Sequence, residues 1–98
     1  MKFSECLEAL RNGKRLVNAS LSNRSAYIVR QIPQIIPADI VPNMTSLPDS
    51  AKEVAKDAPI EYHDQVLLCE WDSDSGRTRA TSYIPTWEDI FREDWTIA

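Results

Sequence analysis

Pro33, Pro37, Pro42 and Pro48 crowd into one short stretch of this chain, and each removes a backbone donor and restricts the residue before it. That stretch therefore reads as an extended connection rather than the interior of a regular sheet. Its Ile35, Ile36, Ile40 and Val41 make it too apolar for a solvated linker. The Pro-rich segment at about 33–48 is thus expected to pack on the domain or on a neighbouring subunit. With 98 residues the chain has room for a single domain, 1–98, whose thin core a partner subunit would help to complete.

On the amino-terminal side, Phe3, Cys6, Leu7 and Leu10 share one stripe of a short helix that Asn12-Gly13 ends. Arg15 to Asn18 reads as a short strand, Ala19 to Ser25 as a polar loop, and Ala26 to Ile32 as a second strand. Beyond the prolines, Pro48 opens a short helix reaching about Lys56. Tyr62 to Trp71, with Val66, Leu67, Leu68 and Cys69, is the candidate central strand. Asp72 to Gly76 is a turn and Thr78 to Ile84 its hairpin partner. Thr86 caps a third helical turn whose Glu88 and Asp89 suit its positive end, and Trp95 to Ile97 is a terminal strand. The fold class is α+β: a small antiparallel β-sheet with two or three short helices.

The net charge of -4, with 15 acidic against 11 basic residues, gives no support for tracking DNA or RNA, which favours a basic face. No run approaches the roughly 20 apolar residues of a membrane span, and no secretion signal is visible, so the chain reads as cytoplasmic with no membrane partner. Cys6 and Cys69, far apart and without a CxxC, read as small buried hydrophobes rather than a disulfide or a metal pair.

No catalytic group, metal set or cofactor motif emerges. His63 beside Asp64 suggests an oriented base, but neighbours on one strand point to opposite faces. Asp72, Asp74 and Gly76 echo the start of a calcium loop without its later ligands and read as a plain turn. Glu88, Asp89, Glu93 and Asp94 read as a solvated face rather than an acid–base pair. Two glycines, Gly13 and Gly76, cannot make a Gly-rich phosphate loop. What remains is Tyr27, Tyr83 and Trp87 with Asn23, Arg24 and Thr86. Singly these are core and turn residues, and together they suit a pocket that stacks a base and contacts phosphate.

The opening Met1 to Arg15, the middle Ser46-Leu-Pro-Asp-Ser-Ala-Lys-Glu53 and the closing Thr86-Trp-Glu-Asp-Ile-Phe-Arg-Glu-Asp-Trp95 resemble, in order, segments of a family of short phage and prophage proteins. That family includes the second type of Thoeris anti-defence protein. The resemblance implies a homo-oligomer, dimer or tetramer, in the cytoplasm of an infected bacterium. It would be a non-enzymatic sponge that sequesters a cyclic nucleotide signal of the cyclic ADP-ribose type, or a cyclic oligonucleotide. Where the family usually places Gly-Trp-Asn-Gly, this chain has Ser20-Leu21-Ser22-Asn23, and Leu21 cannot stack a purine. The family's second Trp corresponds to Tyr83 and its usual Gln to Trp87. Position by position, the resemblance implies ligand contacts at Tyr83, Thr86 and Asp89, then at Asn23 and Arg24. Trp87 and Tyr27 join the expected set, and Trp95 is expected in the core. The readings from other classes are a protein-interaction module built on Pro33 to Pro48 and a nucleotide-degrading enzyme using the acidic cluster.

Overall fold

A computed structural model describes residues 1–55 and 58–98, and it is an α+β structure as the sequence implies. The chain forms two compact units, one of residues 1–31 and 65–98, the other of residues 32–64.

In the larger unit, α1 (Phe3–Arg11) begins where the Glu5 carboxylate accepts the Lys2 N–H at 3.1 Å. It ends where Gly13 turns left-handed at φ 79°. There the Lys14 N–H reaches back to Ala9 O and the Gly13 N–H to Leu10 O, both at 3.0 Å. Glycine enters that conformation without a Cβ penalty, and these two bonds satisfy carbonyls the helix end would leave bare. β1 (Leu16–Val17), β2 (Ala26–Gln31), β5 (Gln65–Asp72), β6 (Arg77–Ser82) and β7 (Thr96–Ile97) form an antiparallel sheet in the order β6-β5-β2-β1-β7. The helices α2 (Ala19–Asn23) and α4 (Trp87–Phe91) complete the unit.

Register fixes the faces. Leu16 lies opposite Ile28 and Ile28 opposite Leu68, so these side chains share one face. Leu16 and Ile28 join the buried cluster formed with Cys6 and Leu10 of α1, Leu21 of α2, Ala26 and Trp95. Trp95 is 0% exposed, meets Phe3 edge-on with ring centroids 5.7 Å apart, and donates its indole N–H to Asp89 O at 2.9 Å. Its place in the core agrees with the expectation for that residue. Cys6 and Cys69 are buried free thiols.

The smaller unit pairs β3 (Gln34–Ile36) with β4 (Ile60–Tyr62), antiparallel, and adds a 3₁₀ turn at Val41–Asn43 and the helix α3 (Asp49–Val54). Lys52 ties this unit locally, donating to Pro42 O at 3.2 Å and pairing with Asp49 at 3.8 Å.

Five details differ from the sequence reading. Ala19 to Ser25 is largely helical rather than a loop, because Asn18 caps it by accepting the Leu21 N–H at 2.9 Å. The Pro33–Pro48 stretch is not wholly extended, since Val41–Asn43 is a 3₁₀ turn, and Gln34–Ile36 between two prolines is a paired strand rather than a bare connection. Tyr62 to Trp71 is two strands, interrupted at His63 and Asp64, and β2 rather than β5 is central. His63 and Asp64 thus stand outside any strand, and the opposite-face argument does not apply to them. Leu7, expected on the buried stripe of α1, is 50% exposed because it borders a surface cleft with Phe91. The end of the second helix, placed at about Lys56, lies outside the described residues.

Because Trp95 joins core packing to a backbone hydrogen bond, Trp95→Ala is expected to lower unfolding free energy by about 3–5 kcal/mol, read from urea denaturation.

Candidate functional site

Asn18 does more than start α2. Its side chain is 3% exposed, and α2 continues from it with Ser20, Leu21 and Arg24 on the side facing a surface cavity of about 340 Å³. Leu68 of β5 forms the floor with Leu21, while Ser82, Tyr83 and Ile84 bring the chain past β6 along the wall. Asp89, in the first turn of α4, closes the ring.

The electrostatics are mixed. Arg24 Nε pairs with Glu70 at 3.0 Å, both side chains about half exposed, so the cation is partly spent within the protein. Asp89 is held in a reciprocal cap: its carboxylate accepts the Thr86 N–H at 3.0 Å and its own N–H donates to Thr86 Oγ1 at 3.1 Å. Burial acts to raise the Asp89 pKa, but the bonds from Thr86, the influence of Tyr83 and the charge of Arg92 outweigh it, and the net shift is downward. The Tyr83 hydroxyl is buried and finds no partner at hydrogen-bonding geometry. Burial first, and the Asp89 carboxylate second, push its pKa up and keep it protonated.

Asp94 braces the wall from behind. It accepts the Ala19 N–H at 3.1 Å at the start of α2 and takes both nitrogens of the Arg92 fork, at 2.8 and 2.7 Å. The Arg92 bonds come first among the causes that hold its carboxyl well below the usual range, followed by the Ala19 N–H. Neither Asp89 nor Asp94 is therefore suited to act as a proton donor near neutral pH. Among the described residues, no group of three or more His, Cys, Asp and Glu side chains could hold a metal ion.

Of the residues expected at a site, the cavity brings together Arg24, Tyr83 and Asp89. Thr86 holds Asp89 without lining the cavity. Asn23 ends α2 exposed and off the lining side. Tyr27 lies opposite Cys69, on the sheet face away from Leu68, and stacks under Arg15 at 5.2 Å. Trp87 is 74% exposed and stacks on Phe91 at 5.8 Å, outside the cavity. The lining residues that sequence reasoning missed are Asn18, Ser20, Leu68, Ser82 and Ile84. Asn18 carried a usable signal, since Asn ahead of a short helix is a favoured cap.

The sequence model of the Thoeris anti-defense 2-like domain matches residues 1–98, the whole chain. The chain belongs to that family. No curated protein matches it. Membership in the Thoeris anti-defence 2-like family supports a role in phage anti-defence and, coarsely, a small-molecule signal as partner; the family is not known as an enzyme. Among the described residues no helix is long and apolar enough to cross a membrane.

Two outcomes follow from the cap. Thr86→Ala should destabilise the fold by about 1 kcal/mol in thermal or urea unfolding. Asp89 has its folded pKa below the ordinary 3.8, so its stabilisation is present above that value and is lost as pH falls through the folded pKa. The stability gap between the protein and Asp89→Asn should shrink as pH is lowered from 6 to 3, measured by urea denaturation at each pH.

Proposed function

We propose that this chain is a phage anti-defence sponge. Acting as one domain, 1–98, in the cytoplasm of the infected host, it binds a cyclic nucleotide immune signal of the cyclic ADP-ribose type and sequesters it without cleavage. The observation that carries this reading is the cavity that gathers Arg24, Tyr83 and Asp89, with the Tyr83 hydroxyl kept protonated beside the Asp89 carboxylate. Around it, Leu21 and Leu68 offer apolar surface, Arg24 a guanidinium for phosphate, and Asp89 a fixed acceptor for a ribose hydroxyl or a base amine. Homo-oligomerisation, as dimer or tetramer, belongs to the same proposal.

One observation favours a protein-interaction module instead: Ile32, Ile35, Ile40 and Val54 of the smaller unit are each exposed, apolar side chains that a partner protein would cover.

The purified protein is incubated with cyclic ADP-ribose isomers and cyclic oligonucleotides, washed, and then heated. Release of intact nucleotide is expected. Altered nucleotide would replace the sponge by an enzyme, and retention of none of the signals would remove both. Tyr83→Phe should weaken retention roughly three- to tenfold, and Arg24→Ala about tenfold or more. Unchanged binding by both variants would place the site elsewhere.

A further inference from the structure

Arg24, the guanidinium in the cavity lining, already holds a carboxylate, and what lies behind that carboxylate lets the pair come apart. Arg24 Nε meets Glu70 at 3.0 Å, with both side chains half-exposed. Glu70 stands two residues along β5 from Leu68 of the cavity floor and so shares its sheet face, as does Asp72 beyond it. Across the ladder Arg79 lies opposite Glu70, and Arg77 opposite Asp72. Charges of alternating sign therefore run in a row away from the cavity: Arg24, Glu70, Arg79, Asp72, Arg77.

In that row Arg79 stands between two carboxylates. Its Nη1 reaches Asp72 only at 4.0 Å, and its side chain is 74% exposed, so this contact holds it loosely. The Cβ atoms of directly opposed residues lie about 4.5–5.5 Å apart, which brings Glu70 within easy reach of the Arg79 fork. Asp72, if released, keeps Arg77 directly across from it.

An anion that enters the cavity meets Arg24 with its Nε taken. A phosphate is best held by two nitrogens of one fork, and a carboxylate left beside it would repel it as a like charge. Both difficulties vanish if Glu70 has somewhere else to go.

We propose that Glu70 passes from Arg24 to Arg79 when a nucleotide phosphate binds, with Asp72 falling to Arg77 in the same step. This rests on the nucleotide reading of the cavity. Neither Glu70 nor Arg79 touches the ligand; both are positioning residues. In the empty cavity Glu70 holds Arg24 in place, and in the filled one every charge of the row still has an opposite neighbour. A neutral nucleoside cannot displace a carboxylate from a guanidinium, so the exchange favours ligands that carry phosphate.

Retention of cyclic ADP-ribose by the purified chain and its variants tests the exchange. Glu70→Gln frees Arg24 beforehand and should tighten retention about two- to fivefold; Arg79→Gln leaves Glu70 without a second partner and should weaken it by a similar factor. In the Glu70→Gln background, Arg79→Gln should change nothing. Charges that act only at a distance would shift affinity by the same factor in either background. Equal factors in both backgrounds, or weaker retention by Glu70→Gln, overturn the proposal.

A second measurement needs no nucleotide. Arg24→Ala leaves Glu70 without its cation, so Glu70 should turn to Arg79. The Arg79 Nε–H resonance should then shift and exchange more slowly with water, and adding Glu70→Gln should reverse both changes. A resonance unmoved by Arg24→Ala, or a shift that survives Glu70→Gln, overturns the exchange. If the native protein retains no cyclic ADP-ribose, the sponge reading fails and the phosphate step with it, while the Arg79 resonance still decides whether Glu70 changes partner.

Discussion

The buried indole of Trp95 holds three parts of the larger unit in one relation. Its ring packs edge-on to Phe3 of α1, its burial joins it to Leu16 and Ile28 of the sheet, and its N–H binds Asp89 O in α4. A tryptophan buries a large apolar area and leaves one donor to satisfy. Here satisfying that donor ties α4 to the core. The placement of Asp89 in the cavity wall is therefore inherited from core packing rather than set by the cavity's own contacts.

A second line of support runs through Asp94. Its carboxylate reaches the first turn of α2 and grips Arg92, so the closing segment positions both flanks of the cavity. Groups already held in place by these contacts need no reordering when a ligand arrives.

The parts of this arrangement that could be read from sequence are those governed by neighbours along the chain. The stripe of Cys6 and Leu10, the Gly13 stop, the Asp72 to Gly76 turn and the Thr86 cap all rest on interactions spanning a few residues, and each has its own residue signature. The α2 helix escaped because Ala19 to Ser25 has no apolar periodicity; it is held by Asn18 and by Asp94, 75 positions away. The pairing of Gln34–Ile36 with Ile60–Tyr62 escaped for the same reason. In the cavity, Arg24, Tyr83 and Asp89 were legible through family resemblance, whereas Leu68 and Ser82 are lining residues only because the sheet register puts them there. Tyr27 shows the converse, an aromatic whose strand parity turns it to the other face.

The bond between Ala19 and Asp94 also orders events during synthesis. Asn18, Leu21 and Arg24 leave the ribosome early, yet the brace that seats their helix is made only when the stretch through Asp94 and Trp95 has emerged. A nascent or clipped chain lacking that stretch would keep the hairpin of β5 and β6 but lose both braces of the pocket. The cavity is thereby complete only in molecules whose closing segment is in place, and proteolysis near Arg92 would undo it.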